Sequence, residues 1–315
     1  MANPAHADHR IYANLKQLVA LQHQAHGFSL LPTQPLSSVL AGRHSSRLRG
    51  RGLNFEELRQ YRPGDDIRNL DWKVTNRTQT PHVRTYTEER ERNILLLIDQ
   101  RRSMFFGSRE RMKSVTALEV AALAAWRTLA SGDRVGALLF NDHEIREVRP
   151  QRSQRAVMQL LHQGLRMNHA LSAVRPNRAQ PQSGINTSQL DTVLLTAARR
   201  CGHDYLVVII SDMCGWSPTS VKHIKGLTRH NDLIVPLIFD PLEQQLPAQR
   251  LVVGDGRWQL EVDAAQRQLQ QRYSDDFAGH LDRLRAELEH YAVPVIAVDT
   301  LAPVQQQLRQ ALGGR

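Results

Sequence analysis

Four polar side chains in this sequence have the type and spacing to hold a metal ion. Asp99 and Ser103 lie in the loop after one apolar run, Thr187 stands at the start of a predicted helix, and Asp212 follows a second apolar run. Because ligands of open α/β sheets bind beyond the carboxyl ends of the strands, we expect these groups to converge there. Hydroxyl and carboxylate oxygens suit a hard cation such as Mg²⁺, which takes octahedral oxygen ligands. The sequence therefore indicates a magnesium site.

The spacing of these residues resembles the metal-ion-dependent adhesion site of von Willebrand A domains, where D-x-S-x-S is followed by a Thr and then an Asp. Here the first loop reads Asp99-Gln100-Arg101-Arg102-Ser103, so Arg101 stands where the first Ser would be. An arginine removes one oxygen ligand and adds a positive charge beside the cation. Two like charges about 4 Å apart repel by roughly 4 kcal/mol near a protein surface. We therefore predict a degenerate site.

Two arrangements of Arg101 follow from this departure. In the first, which we favour, its guanidinium turns inward, pairs with Asp99 or Asp212, and replaces the metal electrostatically. In the second, Arg101 points to solvent and a weakened Mg²⁺ site survives. The sequence thus requires no cofactor and leaves Mg²⁺ open between the two arrangements.

The elements that must position these residues indicate an α/β fold. Three apolar runs, Asn93–Asp99, Tyr205–Asp212 and Leu233–Phe239, each end at or just before an Asp. Such runs are typical of strands buried on both faces of a parallel sheet. Helical periodicity separates them, as over Lys113–Ala130. This alternation predicts a doubly wound, mostly parallel sheet, with a hairpin inserted near residues 249–262.

The same reading divides the chain into three parts. Residues 1–40 are predicted to hold an N-terminal helix, Ile11–His23, and a linker. Residues 41–90 form a β-rich appendage, and residues 91–315 form the α/β domain. Within the appendage, residues 42–52 place four arginines among glycines, which favours a cationic loop able to hold phosphates or carboxylates.

Acids, arginines and aromatics are dense between residues 54 and 89, around a Pro-Gly turn. Asp65, Asp66 and Asp71 could form a carboxylate cluster for metal binding or acid–base chemistry. Comparable numbers of arginines accompany them, and such mixtures more often form ion-pair networks that fix the backbone. We therefore favour a structural ion-pair motif, made of Arg59, Tyr61, Asp65, Asp66, Arg68, Asp71 and Trp72.

The composition points to an acidic partner and a reducing compartment. The formal charge of +10 suggests nucleic acid, an anionic membrane or an acidic protein face. The arginines are scattered, however, and no run of aromatics forms a stacking platform for single strands. Two cysteines, Cys201 and Cys214, form neither a C-x-x-C pair nor a disulfide framework. No stretch approaches the ~20 apolar residues of a membrane span, so we expect a cytoplasmic protein.

Several motifs, in order from about residue 40 onwards, resemble one bacterial family. They are Tyr61 to Arg68 (Tyr-Arg-Pro-Gly-Asp-Asp-Ile-Arg), Asp71-Trp72-Lys73, Gly132 to Gly136, Ser211-Asp212 and Asp240 to Glu243. The family is catalogued as domain of unknown function fifty-eight, a von Willebrand A-like group whose genes usually lie beside a MoxR-type AAA+ ATPase. The resemblance implies a von Willebrand A-like fold and a partnership with such an ATPase. It also implies a protein ligand, whose carboxylate Arg101 or Arg102 would grip directly.

These inferences favour a non-enzymatic, protein-binding adaptor. We expect it to work with a MoxR-type ATPase in chaperone-like assembly or maturation of other proteins, whose identity the sequence does not give. The alternative is a basic nucleic-acid-binding protein, which rests on net charge and residues 42–52. A hydrolase built on Asp65, Asp66 and Asp71 is disfavoured, because the sequence holds no G-x-S-x-G, no H-E-x-x-H and no P-loop.

Overall fold

The chain divides into two compact units. The larger unit comprises residues 1–40 and 92–315, and the smaller unit comprises residues 41–91. The structure is a computed structural model that describes the following residues: 8–30, 53–63, 65–88, 91–171, 188–254 and 259–313. The cationic loop predicted for residues 42–52 lies outside the described residues.

The described residues form regular elements that we number in chain order. The strands are β1 (Leu53–Gln60), β2 (His82–Glu88), β3 (Asn93–Asp99), β4 (Arg134–Phe140), β5 (Ile145–Gln151), β6 (Tyr205–Ile210), β7 (Asp232–Phe239), β8 (Arg250–Gly254), β9 (Gln259–Asp263) and β10 (Val295–Asp299). The α-helices are α1 (Leu15–Ala20), α2 (Trp72–Thr78), α3 (Lys113–Ala130), α4 (Gln154–His169), α5 (Ser188–Arg200), α6 (Pro218–Leu227), α7 (Pro241–Gln244), α8 (Arg267–Glu289) and α9 (Val304–Leu312).

A six-stranded sheet lies at the centre of the larger unit. Its strands lie side by side in the order β10, β7, β6, β3, β4 and β5. Neighbouring strands are parallel, except that β5 runs antiparallel to β4. In the middle, Leu96 of β3 lies between Ala137 of β4 and Val208 of β6. The predicted α/β class and doubly wound, mostly parallel sheet are confirmed, and the order is consistent with a von Willebrand A-like fold.

Helices cover both faces of this sheet, which explains why β3 is apolar at every position from Ile94 to Ile98. Leu96 and Ile98 pack in a cluster with residues of α3, α4 and α9. Leu95 and Leu97 point to the opposite face and pack with residues of α5, α6 and α8. Successive strand residues alternate between faces, so a strand buried on both sides shows no polar position. The sheet therefore presents its ends, rather than its faces, to a ligand.

The N-terminal segment folds onto the larger unit. Its α-helix is shorter than the predicted Ile11–His23, because the Asn14 side chain accepts a hydrogen bond from the Lys16 N–H and caps the helix there. A 3₁₀ turn follows over Leu21–Gln24. Leu18 is buried, and its carbonyl accepts a hydrogen bond of 3.1 Å from the Trp126 indole. The segment is thus packed against α3.

The smaller unit is an antiparallel pair, β1 and β2, with α2 in the connection between them. β1 carries a bulge between Phe55 and Glu57. β2 lies within the predicted β-rich appendage, whereas α2 was not predicted. Asp71 starts α2 by accepting hydrogen bonds from the N–H groups of Lys73 and Val74, and such capping is typical of Asp.

The C-terminal half of the larger unit contains the predicted hairpin. β8 and β9 pair antiparallel, with Arg250 opposite Asp263 at the open end. No helix in the described part of the chain is long and apolar enough to cross a bilayer.

Candidate functional site

The loops that follow β3 and β6 are neighbours at the carboxyl edge of the central sheet. β3 and β6 are paired, and the strand order changes direction between them. In doubly wound sheets this switch point is where ligands bind. Asp99 ends β3, and Ser211 and Asp212 follow β6. The structure therefore brings together the two predicted carboxylates, Asp99 and Asp212, at the edge where a site is expected.

Asp99 is completely buried and is held by two neighbours. Its Oδ1 accepts hydrogen bonds from the backbone N–H of Arg101 at 2.9 Å and from Arg101 Nε at 3.0 Å. Its Oδ2 accepts from Arg101 Nη2 at 2.6 Å and from Ser211 Oγ at 2.6 Å. The carboxylate is thus saturated by donors from its own loop and from the loop after β6.

The Arg101 side chain turns inward and is fully buried. Besides pairing with Asp99, its Nη2 lies 3.6 Å from Asp212 Oδ1. Its Nη1 donates to the Cys214 carbonyl at 2.9 Å. The guanidinium carbon stands 5.4 Å from the centre of the Phe140 ring, a distance at which cation and ring attract. The inward pairing predicted for Arg101 is therefore present.

A second cation, Lys113, completes the neutralisation of Asp212. Lys113 begins α3 and is buried. Its Nζ donates to Asp212 Oδ2 at 3.0 Å and to Glu243 Oε1 at 2.6 Å. Glu243 belongs to α7, where its other carboxylate oxygen accepts from the Asp240 N–H. One chain of alternating charges therefore connects the ends of β3, β6 and β7.

Burial and opposite charge act against each other in this network. Burial disfavours charged Lys113, but Asp212 and Glu243 outweigh it and raise the pKa of Lys113. Burial also disfavours the charged form of Arg101, but Asp99 and Asp212 outweigh this effect and raise the pKa of Arg101. Burial also opposes ionised Asp212, yet Lys113 and Arg101 lower its pKa. At Asp99 burial dominates and raises the pKa, although Arg101 opposes it. Both cations therefore stay charged at neutral pH.

The residues at this edge do not fit a divalent cation. Asp99 and Asp212 already bind a guanidinium and an ammonium, and a further cation beside them would be repelled. Ser103 Oγ is buried without a hydrogen-bond partner among the described residues, and Thr187 lies outside those residues. In the described part of the chain, no group of three or more His, Cys, Asp or Glu side chains could hold a metal.

The two arginines expected to grip a partner differ in their surroundings. Arg101 is fully buried and its guanidinium is engaged on all sides, so the expectation that it binds a partner's carboxylate requires correction. Arg102 is half-buried, and its backbone N–H donates to Asp142 Oδ2 at 2.8 Å. Of the pair, only Arg102 reaches the surface.

Sequence reasoning missed two parts of this site. The first is Lys113 with Glu243, although a lysine at the start of a helix is a signal, since the helix dipole disfavours a cation there. The second is a chain of buried amides behind the site. Gln100 Nε2 donates to the Ser114 carbonyl at 2.9 Å, and Asn168 Nδ2 donates to Gln100 Oε1 at 3.1 Å. Asn168 in turn accepts from the Ala13 N–H at 2.8 Å, which connects the site loop to the N-terminal segment.

The predicted ion-pair motif in the smaller unit uses two of its aspartates for pairing. Arg59 binds both oxygens of Asp65 at 2.8 Å. Asp71 accepts from Arg84 Nε at 2.8 Å and from Arg84 Nη2 at 2.6 Å. Those hydrogen bonds lower the pKa of Asp65 and Asp71 respectively. The pairing arginine of Asp71 was not foreseen.

The other members of the motif play different parts. Asp66 accepts from the Arg68 N–H and starts a 3₁₀ turn, while the Tyr61 N–H donates to the Pro81 carbonyl. The side chains of Arg68 and Trp72 are exposed. Asp65, Asp66 and Asp71 are therefore committed to arginines and backbone N–H groups.

Comparisons with known proteins name a family. The chain is 30% identical over 263 residues to the uncharacterized proteins Rv1480 of Mycobacterium tuberculosis and Mb1516 of Mycobacterium bovis, covering 82% of this chain and 75% of each relative. Two solved structures are similar over 70% of this chain. They are a conserved hypothetical protein BatB from Bacteroides thetaiotaomicron (12% identity, 96% of that chain, TM-score 0.37) and an aerotolerance-related membrane protein from Bacteroides fragilis (14% identity, 98%, TM-score 0.38). The family described as "Protein of unknown function DUF58" matches residues 57–283, and the chain belongs to this family.

Proposed function

We infer that this chain is a non-enzymatic, protein-binding adaptor that works with a MoxR-type AAA+ ATPase in the assembly or maturation of other proteins. The observation that carries the inference is the closed network at the switch point. Asp99 and Asp212 sit where a doubly wound sheet binds its ligand, and Arg101 and Lys113 neutralise them from within the chain. This neutralised edge supports a role as a fixed protein surface, and the partner comes from the family resemblance.

The described cysteines support a role without catalysis. Burial raises the pKa of Cys201 to about 12, and burial also raises the pKa of Cys214, with Asp212 acting in the same direction. Neither thiol is therefore activated as a nucleophile. Purified protein should not hydrolyse ATP, and a steady-state phosphate-release assay checks this.

The experiment that tests the adaptor role is recovery of partners from the native lysate. The tagged full chain is used as bait after nuclease treatment, at moderate salt, with magnesium and a slowly hydrolysed ATP analogue. Mass spectrometry should find an AAA+ ATPase that is enriched with nucleotide and lost without it. The clients that travel with the ATPase would then be identified in the same sample.

The opposite result would favour the alternative drawn from the charge of +10. If no ATPase is recovered and the yield of partners collapses on nuclease treatment, the basic surface binds nucleic acid. Nucleic-acid binding would be supported by a plot of the logarithm of the binding constant against the logarithm of the salt concentration with a negative slope of several units.

A further inference from the structure

An open cleft in the smaller unit carries side chains that its fold does not use. The cleft has a volume of about 280 Å³, and its lining includes Arg68, Asp71, Trp72, Lys73 and Arg84. These residues come from the turn before α2, from the first residues of α2 and from β2. The cleft is therefore built within one unit, from a capped helix, the turn before it and a strand.

An indole at the rim of this cleft faces solvent. Trp72, the first residue of α2, is 64% exposed, and Ile67 in the preceding turn is 62% exposed. Large apolar side chains left in water mark interaction surfaces when polar groups surround them. Tryptophan is also enriched among the residues that dominate binding energy. The exposed Trp72 indole therefore leaves an apolar surface that a ligand could cover.

The charge inside the cleft is positive. Among the described residues that line it, the one carboxylate is that of Asp71, which is committed to Arg84 and to the N-terminus of α2. Arg68 and Lys73 are exposed, and in the described part of the chain neither has an ion-pair partner. Arg68 and Lys73 therefore lie on either side of the indole in the sequence, and neither forms an ion pair with a carboxylate of the described residues.

We propose that this cleft binds an acidic segment of a partner protein. An Asp or Glu carboxylate would lie between Arg68 and Lys73, and an apolar side chain beside it would cover Trp72. Arginine suits this task because its planar fork binds carboxylates with two hydrogen bonds. The proposal rests on the proposed function in taking the partner to be a protein.

The number of charges favours a peptide over nucleic acid. Tight binding of nucleic acid needs a track of phosphate contacts, whereas this cleft offers one aromatic ring and two cations that have no ion-pair partner among the described residues. The linker of the chain itself does not match the cleft, because residues 31–52 contain arginines and no Asp or Glu. An acidic, partly apolar segment from another protein is the complementary ligand.

Fluorescence anisotropy on the full chain tests the proposal. The probe is a fluorescein-labelled peptide of Asp and Glu residues around a central Leu-Phe pair, and the matched peptide carries Asn and Gln instead. Trp72→Ala should weaken binding at least about tenfold, as for a hot-spot residue, and the double variant Arg68→Glu with Lys73→Glu should abolish it. Trp72→Phe keeps an aromatic face and should recover most of the affinity.

The control variant is Arg77→Glu, an exposed arginine in the last turn of α2 that is outside the cleft. It carries a charge reversal on the same helix and should change affinity less than about twofold. Circular dichroism and thermal melting establish that each variant is folded.

Three results would overturn the proposal: no binding of the acidic peptide by the wild type, equal binding by the cleft variants and Arg77→Glu, or a single-stranded oligonucleotide that binds through Trp72 more tightly than the peptide. Failure of this assay does not affect the lysate experiment, which depends on nucleotide-dependent recovery of an ATPase. The two proposals therefore fail separately.

Discussion

In the larger unit, Asp99 and Arg101 are both fully buried. In the smaller unit, the carboxylate of the Asp71–Arg84 pair is 7% exposed while its arginine is 47% exposed. Both pairs have short hydrogen bonds of 2.6 Å between Nη2 and a carboxylate oxygen. The same two residue types therefore form similar contacts in very different surroundings.

This difference in burial changes what each pair does. A buried ion pair gains little when it forms, because both charges lose their hydration, but breaking it leaves one charge stranded. A pair with one member in water can be rehydrated when its partner is lost. The Asp99–Arg101 pair thus fixes the shape of the sheet edge. In the Asp71–Arg84 pair, the carboxylate that lines the cleft is already bound to an arginine. Arg68 and Lys73 are then the cations that can bind a ligand.

The largest effect is expected from Arg101→Ala. It strands the Asp99 carboxylate in the core, so we expect a loss of about 3–5 kcal/mol in the free energy of unfolding. Urea unfolding followed by far-UV circular dichroism measures this. The matched control is Arg146→Ala, which removes an exposed pair with Glu144 and should cost at most about 1 kcal/mol. Equal losses in the two variants would show that burial does not distinguish these pairs.

A somewhat smaller loss is expected from Lys113→Met. Asp212 would keep the Cys214 N–H and, at 3.6 Å, the Arg101 guanidinium, whereas the more exposed Glu243 can be rehydrated. We expect a loss of about 2–4 kcal/mol by the same urea measurement. Lys113→Arg keeps the charge and should lose less. If Lys113→Met were as stable as the wild type, the ammonium would not be needed to hold Asp212.

The sheet could be predicted from the sequence because burial on both faces leaves a local signature. β3, β6 and β7 each contain an apolar run of at least five residues that is followed, directly or after one residue, by an Asp. α2 was missed because it is short and exposed, so that no apolar period marks it. It is defined instead by the Asp71 cap and by the return of the chain into β2.

The site was predictable only where its contacts are local. Arg101 follows Asp99 by two residues, so their pairing could be inferred from one loop. Lys113 and Asp212 are 99 residues apart, and Gln100 and Asn168 are 68 residues apart. Such side chains meet only after the helices have packed on the sheet, and no pattern in one segment predicts the pairing.

The next effect concerns Mg²⁺ and tests whether Arg101 stands in for a cation. The wild type should show no heat of Mg²⁺ binding by isothermal titration calorimetry. Arg101→Ser restores a hydroxyl and removes a charge, so Mg²⁺ should bind it and raise its unfolding free energy by about 2 kcal/mol at roughly thirty times Kd. Tight Mg²⁺ binding by the wild type would contradict the replacement of the metal by Arg101.

The smallest effect is expected from Asp71→Asn in the smaller unit. Asn is also a good helix cap, so the variant isolates the pair with Arg84, whose hydrogen bonds lower the pKa of Asp71. A carboxyl whose pKa is lowered by folding stabilises the folded state at pH values above its unfolded pKa of about 4. This stabilisation is lost as the pH falls through the folded pKa.

Hydrogen-exchange mass spectrometry of α2 peptides at several pH values would measure that local stabilisation. Near neutral pH, α2 should exchange faster in Asp71→Asn than in the wild type, while the urea midpoint of the larger unit stays unchanged. The difference should begin to shrink as the pH falls below about 4. The two proteins should converge only once the pH has passed through the lowered pKa of folded Asp71, because the wild-type carboxyl is then protonated too. A difference that persists in acid would mean that α2 depends on the cap alone, and the contrast between buried and exposed pairs would then rest on Asp99 and Arg101.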